Sequence, residues 1–210
     1  MKIGIIGSGN IGATTARLFA GAGHEVTIAN SRGPESLTEL VQDIGPQARA
    51  GTVEAAARAS DVVLVAIPLR AYPDLPADAF AGKIVIDANN YYSSRDGEIP
   101  ELESDETTSS ELLAGQLPDA TVVKAFNTMY AQMLADGGRP DAPEDERLAL
   151  FVAGDDADAK RRVMELIREI GFAALDTGSL ADGGRRQQPG SPIYTTQELT
   201  GAEARAKLQA

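Results

Sequence analysis

The run Gly7-Ser8-Gly9-Asn10-Ile11-Gly12 has the GxGxxG spacing with which a backbone cradles a diphosphate. Each glycine has its own task. Gly7 allows a sharp turn, Gly9 leaves room for a pyrophosphate to reach the backbone, and Gly12 lets the following helix pack close to the strand before it. Amide donors and the positive end of that helix's dipole then attract the phosphates. The motif alone is weak evidence, but here the apolar run Lys2 to Ile6 precedes it, a helical pattern follows, and a second apolar run, Glu25 to Ala29, closes the unit. That order of strand, glycine turn, helix and strand is the order of a dinucleotide site. A tight glycine turn without a ligand is the alternative.

The end of the second run decides which dinucleotide such a turn would take. NAD sites usually place a carboxylate about 20 residues beyond the motif, on the ribose 2′-hydroxyl. Here the region reads Ala29-Asn30-Ser31-Arg32-Gly33-Pro34. Asn30 is neutral, Ser31 adds a hydroxyl, and Arg32 offers a forked, charge-assisted donor to a 2′-phosphate. NADP(H) is therefore preferred over NAD(H). The plainer reading of Arg32 is an exposed loop cation paired with Glu35.

In an open parallel sheet the nicotinamide end lies across the carboxyl ends of the strands. Ala66-Ile67-Pro68, Asp87-Ala88-Asn89-Asn90 and Ala125-Phe126-Asn127-Thr128 each follow an apolar run. Ile67 and Pro68 would form an apolar floor, with Ala66 beside them at the strand end. Asn89 and Asn127 either orient a carboxamide or substrate, or simply end their strands as turn formers. The segment from Arg185 to Tyr194, basic and amide-rich in an acidic chain, reads either as a loop closing the pocket over an anionic or polar ligand or as plain surface.

No side chain stands out as a catalytic acid, base or nucleophile. The sole histidine, His24, sits at the turn into the second strand, remote from the expected pocket. The sequence carries no Ser-His-Asp arrangement, no Tyr-x-x-x-Lys pair and no metal constellation, and without Cys it has neither disulfides nor a thiol nucleophile. Reduction of a simple ketone needs a proton donor at the forming alkoxide. Hydride transfer to a ring that delocalises charge needs mainly proximity and orientation.

The elements that must position these residues follow from the patterning of the 210-residue chain. Apolar runs at Lys2 to Ile6, Glu25 to Ala29, Asp61 to Ile67, Lys83 to Ala88, Thr121 to Phe126, Leu148 to Ala153 and Phe172 to Asp176 predict strands, most of them buried on both faces. Helical spacing predicts helices over Ile11 to Ala20, Pro34 to Ile44, Asp158 to Ile170 and Thr195 to Leu208, the last with a capping box of Thr195 and Glu198. This alternation predicts an α/β fold: a single Rossmann-like, doubly wound and mostly parallel sheet with helices on both faces, one NAD(P)-binding domain over 1–210. Two acidic stretches, about 91–110 and 135–147, interrupt it as long loops, either solvated surface or a lid or partner contact.

With 31 acidic against 19 basic side chains the formal charge is −12. That argues against nucleic acid or an anionic membrane as partner, since both need clustered cations. A short apolar start broken at once by glycine resembles no targeting segment, and no window suits a membrane span, so a cytoplasmic protein is expected. The expected partner is a small-molecule acceptor, with a homodimer left open.

The phrases KIGIIGSGNIG, IANSRGPESL, DVVLVAIP, VVKAFNT and DTGSLADGGR together resemble the NADP oxidoreductase, coenzyme F420-dependent family, over nearly the whole stretch from Lys2 to about Arg185. The resemblance implies a compact Rossmann-like protein that binds NADPH and passes hydride between it and a 5-deazaflavin, face to face at the strand ends. It implies that Ser8, Gly9, Asn10 and Ile11 hold the diphosphate, that Ser31 and Arg32 hold the 2′-phosphate, and that Pro68, Asn89 and Asn127 lie beside the ribose and nicotinamide. Two other readings stay open: an NADPH-dependent imine or small-molecule reductase, and a non-catalytic module that senses NADP(H).

Overall fold

The computed structural model describes residues 1–194 and 198–209. Eight strands form one sheet: β1 (Lys2–Ile6), β2 (Glu25–Ala29), β3 (Ala48–Ala50), β4 (Val62–Val65), β5 (Ile84–Asp87), β6 (Thr121–Lys124), β7 (Ala149–Gly154) and β8 (Ala173–Gly178). Their spatial order is β3-β2-β1-β4-β5-β6-β7-β8. All neighbours run parallel except β6 and β7. The α-helices are α1 (Asn10–Gly21), α2 (Thr38–Ile44), α3 (Val53–Arg58), α4 (Ser93–Asp96), α5 (Pro100–Glu103), α6 (Ser109–Gln116), α7 (Ala131–Asp136), α8 (Ala157–Glu169), α9 (Asp182–Arg186) and α10 (Gly201–Gln209).

Period-two alternation along each strand divides the core into two layers. Ile3, Ile5, Val62 and Leu64 point to the side covered by Phe19 of α1 and by Val163, Leu166 and Ile167 of α8. Ile6, Val63 and Val65 point the other way, onto Ala56 and Ala57 of α3, Leu113 of α6, and Tyr72 and Phe80. Helix α8 shows the local logic. Asp156 accepts from the Ala159 N–H at 2.8 Å as N-cap, the apolar residues fall at helical spacing, and Arg168 sits in the last turn against the dipole.

Register carries the site. Ala29, Ile6, Val65, Asp87 and Lys124 face one another in one row across five parallel strands. One residue later each chain leaves the sheet, so Asn30, Gly7, Ala66, Ala88 and Ala125 emerge together along a single edge. The strand order reverses between β1 and β4, and such a switch point opens a crevice at the carboxyl ends.

Several elements differ from the sequence expectations. The sequence patterning does not predict the short β3 and α3: a three-residue, half-exposed edge strand and a six-residue helix carry too few residues to show a period. The helix expected over Pro34 to Ile44 begins as a 3-10 turn, Pro34–Leu37, before α2. The stretch 91–110 is not a plain loop. It holds α4 and α5 and ends in the capping box of α6, where Thr108 accepts from the Glu111 N–H at 3.2 Å and Glu111 accepts from the Thr108 N–H at 2.8 Å. Thr195, the expected cap of the last helix, lies outside the described residues. There Thr200 and Glu203 exchange the capping bonds instead, and the helix is α10.

Candidate active site

The glycine turn leaves β1 with Gly7 at φ 109°, and the Gly7 N–H donates to Ala29 O at 2.8 Å. A side chain on Gly7 would strike the carbonyl of Ala66, and one on Gly12 the carbonyl of Gly7, so neither position admits a Cβ. Gly9 has nothing within 4 Å of where its Cβ would stand. This is the open side of the turn, at the N-terminus of the twelve-residue α1, where backbone amides and the helix dipole favour an anion.

Asn30 joins the two halves of the dinucleotide motif. Its Nδ2 donates to Ser8 Oγ at 2.9 Å and to Ser36 Oγ at 3.0 Å, while its Oδ1 accepts from the Arg32 N–H at 2.9 Å. The last bond is an Asx-type turn, and it presents Ser31 and Arg32 to a cavity of about 370 Å³ shared with Gly7, Ser8, Ile67 and Pro68. Arg32 makes no ion pair among the described residues, Glu35 included. Its guanidinium is thus available to an anion.

Two further cavities continue along the same edge. One of about 250 Å³ shares Gly9, Ala66, Ile67 and Pro68 with the first and adds Asn10, Ile11, Gly12, Ala88, Asn89 and Asn90. The next, about 240 Å³, runs from Asn10 and Ile11 past Phe126 and Asn127 to Tyr92, Tyr130 and Tyr194. Together they form one groove from the Arg32 loop to an aromatic end. All fourteen positions singled out from the sequence line it, Gly7, Ser8, Asn30, Ser31 and Arg32 at one end and Asn127 at the other.

Asn127 is brought to the groove by Phe126, whose φ of 67° turns the chain sharply after β6. Phe126 holds that conformation from full burial, packed edge-on against Phe19 with centroids 6.0 Å apart. The Asn127 Nδ2 donates to Asn90 Oδ1 at 2.9 Å and to Gln187 O at 2.8 Å, and its own Oδ1 is buried with no partner among the described residues. An orphaned acceptor beside the groove suits a ligand that brings an N–H or O–H.

The groove also contains residues that the sequence did not mark. Tyr92 and Arg95 come from the acidic stretch; Arg95 lies over the Tyr92 ring at 5.2 Å, donates to Asn90 O, and pairs with Asp96. Burial pushes the Asp96 carboxyl up, but the Arg95 bond and the amides of Tyr92 and Leu69 outweigh it and hold it below the usual range. Tyr194 shares a hydroxyl–hydroxyl bond of 2.7 Å with Tyr92 across the groove mouth, and burial with that bond raises its pKa. Nothing in a polar, proline-bearing stretch foretells which of its residues fold back over a site. Of the segment 185–194, Tyr194 reaches the groove, whereas Arg185 donates to Asp105 O and Arg186 to Leu208 O. His24 is buried against Phe19 and meets the terminal amine and Glu169, away from these cavities.

Beneath the groove lies a closed polar cluster. Asp87 and Lys124 face each other at 3.6 Å with both side chains fully covered, and Tyr72, Asn89, Ser109 and Ser110 complete their bonding. Burial drives the Lys124 pKa down against the pull of Asp87, and burial together with Asp87 drives Tyr72 well up. The signal for this pair was in the sequence: a single charge ends each of two neighbouring apolar strands.

Comparisons with known proteins agree with this geometry. The sequence pattern of the NADP oxidoreductase, coenzyme F420-dependent family matches residues 2–91. Among solved structures, a hypothetical protein from Sinorhizobium meliloti is 36% identical with a TM-score of 0.83, each chain covered to 95%. A candidate F420-dependent NADP reductase from Arthrobacter sp. FB24 is 30% identical with a TM-score of 0.73, each covered to 88%. The metalloreductase STEAP3 of Rattus norvegicus is 34% identical over 182 residues, 86% of this chain and 34% of that one. The chain thus spans about a third of the length of the curated relatives it matches. A Rossmann turn, an NADP-type second loop and likeness to the Arthrobacter protein over 88% of each chain all lead to one assignment: this chain belongs to the NADP oxidoreductase, coenzyme F420-dependent family.

Proposed function

We propose that the protein transfers hydride between NADP(H) and a flat, flavin-like ring of the deazaflavin type, coenzyme F420 being the expected acceptor. The observation that carries this reading is the continuity of the groove, which runs from the Arg32 loop past the glycine turn to an end lined by Phe126, Tyr92, Tyr130 and Tyr194. In this reading Arg32 and Ser31 take the 2′-phosphate. Ser8, Gly9, Asn10 and Ile11 take the diphosphate with the amides of α1. Pro68, Asn89 and Asn127 flank the nicotinamide nucleoside.

NADPH, when bound, supplies a hydride donor. The protein's part is to align two flat systems and keep water away. Ile11, Ala88, Phe126 and Met129 give the aromatic end an apolar wall against which a ring can stack. An acceptor that spreads the incoming charge over its own ring requires no general acid. The partner in this reading is a small molecule, and whether two copies of the chain associate is a separate question for sedimentation. Among the described residues no helix is long and apolar enough to cross a membrane.

The test is stopped-flow mixing of the protein with saturating NADPH and, in separate arms, F420, FMN and FAD. Hydride transfer to F420 faster than to either flavin is expected. Transfer to none of them overturns the flavin-like acceptor; turnover of NADPH with a cyclic imine would then favour the imine-reductase reading, and tight NADPH binding without turnover by any acceptor an NADP(H) sensor. The likeness to metalloreductases adds an oxidised metal ion as a terminal acceptor to try in each arm.

A further inference from the structure

The Asp87–Lys124 pair lies directly under the groove, and nothing in the reading above uses it. Two charges with fully covered side chains are costly to bury, and a pair of apolar residues would support the sheet at least as well. What distinguishes this pair is the residue on which its hydrogen bonds converge. Asp87 Oδ1 accepts from the Asn89 N–H at 3.1 Å and from Asn89 Nδ2 at 2.8 Å, and Lys124 Nζ donates to Asn89 O at 3.0 Å. Tyr72 donates to the same Asp87 oxygen at 3.0 Å while its own oxygen accepts from Asn89 Nδ2 at 3.0 Å. On the far side, Ser110 donates to Asp87 Oδ2 at 2.6 Å, and Lys124 donates to Ser110 at 3.1 Å, so the start of α6 braces the pair.

The orientation of the Asn89 amide follows from chemistry. One of its neighbours is Val65 O, 3.1 Å away, a backbone carbonyl that can only accept; the atom facing it is therefore the NH2 group. With Nδ2 turned inward to Val65, Tyr72 and Asp87, the opposite atom, Oδ1, meets no donor among the described residues. Asn89 is itself one of the residues lining the middle cavity of the groove.

We propose that Asp87 and Lys124 are positioning residues that clamp Asn89 at its backbone N–H, its carbonyl and its side-chain NH2, so that Asn89 Oδ1 faces the groove as a fixed acceptor for an N–H or O–H of the nicotinamide nucleoside. The inference rests on NADP(H) lying along the groove as proposed above. A prealigned acceptor needs no reorganisation when the ligand arrives, and alignment of the nicotinamide is what hydride transfer depends on.

The experiment is a mutant cycle on the full chain: Asn89→Ala, the paired replacement Asp87→Leu with Lys124→Met, and all three changes together. The readouts are the NADPH dissociation constant, the single-turnover hydride-transfer rate to F420 at saturating NADPH, and the melting temperature. Asn89→Ala and the paired replacement are each expected to slow transfer about tenfold, and the triple variant to be no slower than Asn89→Ala alone. A merely structural pair would lower the melting temperature, and its rate effect would multiply with that of Asn89→Ala; that result, or a paired variant with wild-type transfer, overturns the inference. Should the paired variant not fold, Tyr72→Phe leaves both charges in place, and a roughly threefold slowing that vanishes in the Asn89→Ala background replaces it. An independent effect, or none, overturns the inference equally.

Reduced 3-acetylpyridine adenine dinucleotide phosphate, which lacks the carboxamide N–H, separates the two donor sources. If Asn89→Ala has no further effect with this analogue, the donor is the carboxamide; if the tenfold loss persists, it is a ribose hydroxyl. A wild-type protein that binds NADPH without turnover removes the hydride-transfer reading. The clamp then stands if Asn89→Ala and the paired replacement each weaken NADPH binding and the triple variant binds no more weakly than Asn89→Ala alone, and falls if the two losses multiply. Wild-type protein that does not bind NADPH overturns both.

Discussion

Asn30 Nδ2 reaches Ser8 Oγ at 2.9 Å, so the loop after β2 and the glycine turn after β1 are one hydrogen-bonded unit. A change in either loop therefore alters the shape of the other. Asn30→Ala would break that bond, the one to Ser36 and the turn that sets Arg32. Loss of NADPH affinity by about tenfold is expected, with a stability loss of about 1 kcal/mol because these bonds are partly exposed. Fluorescence titration and thermal melts would check both.

Arg32 itself lines the cavity without an ion-pair partner among the described residues. Arg32→Ala should weaken NADPH binding by about 1.5–3 kcal/mol, the worth of hydrogen bonds to a charged group. NADH, which lacks the 2′-phosphate, should bind nearly as before. Equal losses for both dinucleotides in the same titration would remove Arg32 from the 2′-phosphate site.

Gly9 and Gly12 make a matched pair of probes. Gly12→Ala drives a methyl into the Gly7 carbonyl and should cost about 1–3 kcal/mol of stability as overpacking. Gly9→Ala meets open space and should melt like the wild type, yet lose dinucleotide binding if the diphosphate approaches the backbone there. A Gly9→Ala protein that binds NADPH normally would move the diphosphate away from this turn.

Asp96 ties α4 to the groove through Arg95 and through the amides of Leu69 and Tyr92. Its folded pKa lies below the ordinary carboxylate value, so the ionised form stabilises the protein above about pH 4, and that contribution is lost as the pH falls through the lowered pKa. Asp96→Asn should therefore be less stable than the wild type at neutral pH, with the gap closing toward pH ~3. Denaturant unfolding at a series of pH values measures it, and a gap independent of pH would assign the loss to packing.

The dinucleotide half of the molecule was legible from its residues. GxGxxG after an apolar strand, a neutral Asn30 followed by Ser31 and Arg32, and apolar runs ending in Pro68, Asn89 and Asn127 are local patterns, each complete within a few neighbours. Their meeting along one groove follows from strand register, because parallel strands of similar length all release their chains on the same edge. The rest depended on contacts far apart in sequence. Tyr92 meets Tyr194 from 102 residues away, and Arg95, though still exposed, donates back to Asn90 O. The Arg185 and Arg186 side chains, read as candidates for an anionic ligand, are instead bonded to Asp105 and Leu208.

The sequence by itself determined the longer apolar strands and the longer helices, the glycine turn and the choice of NADP over NAD as the expected cofactor, since these rest on propensity, periodicity and residue chemistry within short windows. Only the tertiary structure decided which side chains line the aromatic end of the groove and which way the Asn89 amide faces. Both depend on how separate segments pack: the fold back of 91–110 covers the site, and the buried charges of Asp87 and Lys124 meet because β5 and β6 are neighbours in register. A pairing of strands 37 residues apart is set by burial of the whole sheet, and no local pattern encodes it.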